Sequence, residues 1–339
     1  MLTIRTFRNT DSPALLTIWE KRAALNPEHF RPLSMALLEQ HVLGRPFFDR
    51  NGLFLAFNDC QPVGFAHAAF GPNEDHTNID STTGVVCLIM VLPDHPDRSN
   101  IAAELLKACE QYLIHRGAKR IYGGAVRPAA PFYMGLYGGS EPLGVFESDT
   151  IISELYRQSN YEIVSHTLLF RTSLVNYRSP ITAKTMQWRR SLSLNFTDLP
   201  TPSHWWEACM MCNFTWLELQ GRIAREPNPV ATVTARITDS QEMPDFDLAQ
   251  HASSFVTPDM SIGRTLVAGL MDIRVQDDRK HKGLATYMLG EMVRELQRRY
   301  VTLFEAQAAE ENEPLIKLLN AMRWNIADRG AVYLKTVAQ

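Results

Sequence analysis

Hydrophobic residues in the first half of the chain follow two spacings, one typical of strands and one typical of helices. Runs in which apolar residues are continuous or occupy every second position predict strands, and recurrence every three or four positions predicts helices. The predicted strands cover residues 2–7, 53–57, 63–70, 85–92, 121–126 and 164–171. The predicted helices cover residues 13–24, 34–43, 101–116 and 151–158. Polar residues 58–61 predict the turn of a hairpin.

The second half shows the same succession of strands and helices. Its predicted strands cover residues 217–220, 230–237, 265–275, 301–306 and 331–335. Its predicted helices cover residues 284–299 and 313–322, and Pro314 falls in the first turn of the latter, where a proline is tolerated. Strands that alternate with helices favour an α/β fold.

The two halves also match residue by residue, which indicates an internal repeat. Residues 100–102, followed by a Leu-Leu pair, correspond to residues 283–285, followed by Met-Leu, at an offset of 183. Residues 160–161 correspond to residues 323–324 at an offset of 163. The difference of 20 positions predicts an insertion in the first half, and residues 127–146, rich in Gly, Pro and aromatic residues, have that length.

A chain of 339 residues exceeds the usual length of one domain, and two domains are expected. The periodic pattern breaks at residues 174–185, where Ser, Pro, Thr and Lys predominate. We therefore predict an N-terminal domain at residues 1–173 and a C-terminal domain at residues 174–339.

Composition argues against several classes of protein. Hydrophobic residues make up 45% and charged residues 21%, as in ordinary globular chains, and the net charge of −3 disfavours a nucleic-acid binder. No apolar run reaches the roughly 18 residues of a membrane span, and no signal sequence is evident, so we expect a cytoplasmic protein with reduced cysteines. Cys209 and Cys212 form a Cys-x-x-Cys without the second ligand pair of a zinc site, and no metal is predicted.

The sharpest local signal is a strand that runs through a basic turn into an amphipathic helix. It comprises Ile273, Arg274, Val275, Arg279, Lys280, His281, Lys282, Gly283, Leu284 and Ala285. The free N–H groups and the dipole of a helix start attract phosphate, and a glycine allows its close approach. The pattern favours a pyrophosphate site, although a solvated basic helix start remains the alternative. Neither a P-loop nor a Gly-x-Gly-x-x-Gly turn is present.

This pattern resembles the acyl-CoA motif of the GNAT acetyltransferase superfamily, Arg/Gln-x-x-Gly-x-Gly/Ala, with Lys280 at its first position. The resemblance is strongest over residues 266–335 and looser over residues 84–171. It includes Asn312 near the start of the next helix, whereas Leu318-Leu319 stands where the family often has Leu-Tyr. Tandem members, such as those related to mycothiol synthase, are similar in layout.

The resemblance implies two tandem GNAT-like domains, each a mixed, mostly antiparallel twisted sheet flanked by helices. It also implies transfer of an acetyl group, or another short acyl group, from acetyl-CoA to a primary amine of a small molecule or a protein by direct attack. No nucleic-acid or membrane partner is expected, and the oligomeric state stays open. The alternative is a non-catalytic module of this fold that binds CoA or a partner.

The halves depart from the family pattern in complementary ways. In many members the tyrosine of the Leu-Tyr pair protonates the leaving thiolate, which Leu319 cannot do. The first half keeps this element as Leu155-Tyr156, but Asp97 and Asn100 replace its phosphate turn. We therefore place the acyl-CoA site in the C-terminal half and treat the N-terminal half as degenerate. Tyr156 is either a catalytic acid or a core tyrosine.

Two carboxylates are candidate general bases in the second half. Alternation along the strand predicts Asp272 on the opposite face from Met271, Ile273 and Val275, and Glu305 on the neighbouring strand. Each is either a proton acceptor or a hydrogen-bonded residue without a catalytic role. The insertion at 127–146 is either a wall of the acceptor site or a segment that packs between the halves.

Overall fold

We analysed a computed structural model of the chain. It describes residues 1–25, 29–30, 33–134, 136, 141, 143–198, 200–211, 214–238, 266–280 and 282–337. None of the described helices is both long and apolar enough to cross a membrane.

The first half contains the predicted strands and helices in the predicted order. Its elements are β1 Leu2–Thr6, α1 Ser12–Leu25, α2 Met35–Leu38 with a π-helical continuation Glu39–Leu43, β2 Leu53–Asn58, β3 Gln61–Pro72, β4 Ile79–Val91, α3 Arg98–His115, β5 Arg120–Gly123, β6 Val145–Phe146, α4 Thr150–Gln158 and β7 Glu162–Ser173. The strand predicted at 121–126 ends early because the chain turns at Gly124, whose φ of 65° is left-handed.

The second half contains three elements that the sequence pattern did not predict, namely α5, β8 and α6. Its elements are α5 Ala183–Ser191, β8 Ser193–Thr197, α6 Trp205–Met211, β9 Thr215–Arg222, β10 Ala231–Thr238, β11 Leu266–Val275, α7 Leu284–Arg298, β12 Val301–Ala309, α8 Glu313–Ala321 and β13 Asn325–Thr336. Helix α5 begins inside the segment expected to join the domains, where the Thr182 hydroxyl accepts a hydrogen bond from the Thr185 amide.

One mixed sheet runs through both halves, which confirms the predicted fold class. Its strand order is β1-β2-β3-β4-β5-β13-β7-β12-β11-β10-β9-β8, with β6 paired to β13. The described pairings are antiparallel except for β4 with β5 and β11 with β12. These two parallel pairs are joined by α3 and α7, the helical crossovers that parallel strands require.

The halves exchange their last strands. Strand β13 pairs with β5, placing Tyr333 opposite Gly123, and β7 pairs with β12, placing Thr172 opposite Phe304. The side chains of these strands are exchanged too. Tyr333 of β13 lies in the core around α3, and Phe170 of β7 lies in the core around α7. Backbone hydrogen bonds therefore join residues 1–173 to residues 174–339. That these two ranges are separate domains stays a prediction.

Candidate functional site

In each parallel strand pair, the pairing stops while at least one of the strands continues. The β11–β12 pairing stops at Leu270 opposite Ala306, although β11 continues to Val275 and β12 to Ala309. The β4–β5 pairing stops at Val86 opposite Gly123, although β4 continues to Val91. Apart from the Gly124 amide, which donates to the Val86 carbonyl at 3.0 Å, the described residues form no further ladder pairing across either parallel pair beyond these points, so each half presents one such opening to a ligand.

A β-bulge lies beside each opening. Opposite β3, the register passes from Leu88 to Val86 and skips Cys87. Opposite β10, it passes from Asp272 to Leu270 and skips Met271. Bulges of this kind re-aim side chains and leave a residue outside the regular ladder. The two bulges occupy corresponding positions of the repeat.

The bulge reverses part of the predicted alternation along β11. Ile273 and Val275 pack on the core around α7, as expected, whereas Met271 packs with a different cluster on the other face of the sheet. The prediction that Met271 shares a face with Ile273 and Val275 is wrong, because the extra residue shifts the alternation by one position.

The surroundings of the two bulges differ in polarity. Beside Cys87, the small side chains of Ala125 and Ala130 pack with Val85. Burial raises the pKa of the Cys87 thiol, as expected for an inert core cysteine. Beside Met271 lies the carboxylate of Asp272, whose Oδ2 is 2.5 Å from Nε of the exposed Arg274.

The basic turn after β11 is folded and its cations have local partners. Residues Asp277–Arg279 form one 3-10 turn. Nζ of Lys280 lies 2.5 Å from Asp277, and Nη2 of Arg279 lies 2.8 Å from Glu226. Nζ of Lys282 donates to the Asp278 carbonyl at 2.7 Å. His281, predicted to belong to the same turn, lies outside the described residues.

Gly283 has a structural reason to be a glycine. Its φ is 79°, and a Cβ at this position would lie 2.9 Å from Cβ of Lys184 in α5. Helix α5 is further attached to the turn by Trp188, whose Nε1 donates to the Lys282 carbonyl at 2.8 Å. Leu284 is buried and Ala285 half-buried. Close packing of α5 is therefore a sufficient reason for a glycine at position 283, as close approach of a phosphate would also be.

The beginnings of α3 and α7 differ from those of α4, α5 and α8. In α4, α5 and α8, a side chain accepts a hydrogen bond from a first-turn amide, and Asn312 does so for α8. Neither α3 nor α7 has such a side-chain cap among the described residues. In α3, Asp97 instead accepts from Asn100 at 3.0 Å. An uncapped helix start is free to bind an anion, and only that of α7 follows a basic turn.

The residues at the Leu-Tyr positions are core residues in both halves. Tyr156 is 1% exposed, stacks on Tyr333 and lies against Gly123, where a Cβ would clash with its ring. Leu319 is fully buried in the core around α7. This environment favours the interpretation of Tyr156 as a core tyrosine.

Glu305 of β12 is fully buried and forms an ion pair with the exchanged strand β7. Its Oε1 lies 2.8 Å from both Nε and Nη2 of Arg171 in β7. On β12, Phe304 and Ala306 face the core around α7, so Glu305 points to the opposite face of the sheet. Asp272 is about one third exposed and is therefore the more accessible candidate base.

Two charged residues of the insertion reach the second bulge, and sequence analysis had not selected either of them. Nε of Arg127 lies 2.7 Å from Oε1 of Glu141, and Nη2 donates to the Met271 carbonyl at 2.7 Å. Burial raises the pKa of Glu141, with Asp272 acting in the same direction and Arg127 and Arg236 opposing it. Arg236, fully buried on β10, lies over the Phe214 ring at 4.7 Å.

We call Arg127, Glu141, Arg236, Met271 and Asp272 the junction cluster, because both halves contribute to it. An apolar layer lies beside it, formed by Met134, Trp206, Met210, Trp216 and Met271. The insertion thus supplies both a charged pair and an apolar contact to the second half. Its glycine-rich centre, including Tyr137, lies outside the described residues.

Residues 15–136 match the profile of the Acetyltransferase (GNAT) family. The whole chain also superimposes on a tandem GNAT protein from the clavulanic acid biosynthesis pathway, with a TM-score of 0.65 at 12% identity, covering 100% of this chain and 99% of that one. The chain therefore contains a GNAT domain. The profile match falls on the N-terminal half, and the structural match extends the fold to the C-terminal half.

Other GNAT structures are similar over the full length of this chain. A GCN5-related N-acetyltransferase from Sphaerobacter thermophilus has a TM-score of 0.62 at 12% identity and covers 100% and 96% of the two chains. One from Anabaena variabilis has a TM-score of 0.52 at 10% identity and covers 100% and 73%. No curated protein matches the sequence significantly. Identities this low establish a shared GNAT fold and no particular substrate.

Proposed function

We propose that the protein is an acyl-CoA-dependent N-acetyltransferase that moves an acetyl group from acetyl-CoA to a primary amine, with its site in the C-terminal half. The observation that carries this proposal is the opening between β11 and β12, which has a bulge at Met271 on one side and leads into a basic turn and an uncapped helix. The first half has the opening and the bulge, but its turn is acidic at Asp94 and Asp97.

The residues of the turn fit a pyrophosphate. Lys280 and its partner Asp277 are 54% and 92% exposed at their side chains, and surface pairs of this kind stabilise a protein little. A phosphate can therefore replace Asp277 as the partner of Lys280 at little cost. The amides at the start of α7 add hydrogen-bond donors, and the helix dipole favours the negative charge.

In the proposed reaction the neutral amine attacks the thioester carbonyl, a carbon–nitrogen bond forms and the carbon–sulfur bond breaks. CoA leaves as a thiolate that then takes up a proton from solvent, and the nitrogen loses a proton to an acceptor. Asp272 is the proposed acceptor, directly or through water, because its carboxylate borders the bulge and is partly accessible. Glu305 is less suited, because Arg171 already engages its carboxylate in a buried pair.

The second candidate function is binding of CoA or a partner without turnover. It is favoured by the burial of both Leu319 and Tyr156, since neither places a phenol where a leaving thiolate would be protonated. This candidate predicts the same affinity for CoA and no release of thiol.

A thiol-release assay with acetyl-CoA and a panel of primary amines, together with calorimetric titration of CoA, separates the two candidates. Amine-dependent release supports the transferase. Binding of CoA without release supports the binding module, and absence of both refutes the assignment of the site. Asp272→Asn should lower turnover by about 10²-fold with nearly unchanged CoA affinity. Full activity of this variant across pH would reject Asp272 as the base.

A further inference from the structure

Arg127 makes two directed contacts that join the halves beside the opening between β11 and β12. Its Nε faces Glu141 at 2.7 Å, within the insertion, and its Nη2 donates to the Met271 carbonyl at 2.7 Å, on β11 of the other half. A planar guanidinium engaged on two edges has a fixed orientation. Arg127 therefore holds the insertion and the bulge in a defined relation.

Arg127 binds the carbonyl of Met271, the residue that the ladder with β10 skips. Met271 has no residue opposite it in β10, because the register skips it. On the other side, the ladder with β12 has already ended at Leu270. A side chain from the first half thus replaces a backbone partner at the bulge. Its removal would take the Arg127 hydrogen bond from the Met271 carbonyl and so loosen the Met271–Asp272 peptide.

The environment makes these contacts effective. The Glu141 side chain is only 14% exposed, and Met134 and Met271 pack together with Trp206 beside the charged pair. Hydrogen bonds between charged groups are strong where water is excluded. The same peptide bears Asp272, the proposed proton acceptor, so its orientation sets the position of that carboxylate.

We propose that Arg127 is a positioning residue for acyl transfer in the C-terminal half and that Glu141 holds it in place. The N-terminal half thereby contributes a side chain to the proposed site in the C-terminal half. This proposal rests on the proposed function for its kinetic consequences, but it also makes a structural statement about β11 that holds without turnover.

The test compares Arg127→Met, Arg127→Lys and Glu141→Gln with a control, Lys335→Met. Lys335 of β13 pairs with Glu110 of α3 at 2.8 Å, so the control also removes a partly buried ion pair between the halves, away from the bulge. The readouts are acetyl transfer to the most reactive amine of the panel, CoA affinity by calorimetry, the melting temperature, and hydrogen exchange of the amides in β11.

Arg127→Met should lower kcat by about 10–100-fold, because a displacement of about 1 Å at a reacting group has an effect of this size. CoA affinity should stay within about threefold of the parent value, since the basic turn is unaltered. Arg127→Lys should restore part of the rate, because a lysine can reach one of the two partners, and Glu141→Gln should have a smaller effect. Lys335→Met should keep the parent kinetics at a similar loss of melting temperature.

The proposal fails if folded Arg127→Met keeps kcat and KM within twofold of the parent, or if Lys335→Met slows transfer equally. If the parent protein acetylates no amine, the proposed function fails, and hydrogen exchange still decides the positioning role. Faster exchange near Met271 in Arg127→Met, with parent exchange in Lys335→Met, supports it. Unchanged exchange in both variants overturns it.

Discussion

Replacing Arg171 by methionine should destabilise the protein strongly, because it removes the guanidinium from the fully buried carboxylate of Glu305. Methionine keeps much of the length of the side chain and adds no charge. Breaking a buried ion pair by removing one partner costs about 3–5 kcal/mol, since an uncompensated charge stays in the interior. Arg171 lies on the exchanged strand β7 and Glu305 on its neighbour β12, so the loss falls on the contact between the halves.

Substitution of the other partner of the pair, Glu305→Gln, should lower the free energy of unfolding less. Glutamine preserves the shape and keeps an oxygen that can accept a hydrogen bond, and the Arg171 side chain is 16% exposed and so retains some contact with water. Hydrogen bonds to charged groups contribute about 1.5–3 kcal/mol, which sets the expected loss. In the double variant neither charge remains, and its loss should fall about 2–3 kcal/mol short of the sum of the single losses.

Urea unfolding of the parent, both single variants and the double variant measures these free energies in one thermodynamic cycle. The reasoning is refuted if Arg171→Met loses less than about 1 kcal/mol, or if the single losses add without coupling. Kinetics on Glu305→Gln separate this structural role from catalysis. A general base would lower kcat about 10²-fold in a folded variant, whereas a structural carboxylate would lower stability first.

Two further predictions concern cofactor binding and pH. Lys280→Glu should weaken CoA binding at least about tenfold in calorimetry, whereas Lys107→Glu, a charge reversal at an exposed lysine of α3, should leave it unchanged; equal losses would argue against the assigned turn. Burial lowers the pKa values of His67 and His41 from 6.5 to about 3, so the unfolded chain takes up protons first as the pH falls. The stability that each neutral histidine contributes is complete above pH 6.5 and should decline by about 1.4 kcal/mol per pH unit per histidine between 6.5 and 3. His67→Gln should remove one histidine's share of that slope in urea unfolding, and an unchanged slope would contradict the assignment.

Local pattern was sufficient to predict most elements of the fold. Helix α7 and strand β11 follow from the spacing of apolar residues, because each buries one face in the same core. Helix α5 was missed because its sequence is polar and only Trp188 and the Thr182 cap distinguish it from a linker. The strand exchange was beyond such reasoning, since β7 and β13 have the same pattern whichever sheet they enter.

The candidate site was predictable in part. The basic turn could be picked out because it is contiguous in sequence, and its role in binding stays a prediction. The bulge was not predicted because Met271 is itself apolar and fits a regular strand. In the structure, Leu270 and Ile273 face the same core, and regular alternation would place them on opposite faces. The pair Arg127 and Glu141 is separated by a glycine-rich segment, and nothing in the local sequence indicates that it reaches β11.

The exchange of β7 and β13 also bears on the proposal that the acyl-CoA site lies in the C-terminal half and that the N-terminal half supports it. A half that had lost its ligand would normally be free to change, but here β7 completes the sheet beside β12, and Arg171 on β7 compensates the buried Glu305. The N-terminal half therefore contributes to the proposed site twice, through the strand that borders β12 and through Arg127 at the bulge. Its retention follows from these contacts even if its own acidic turn binds no phosphate.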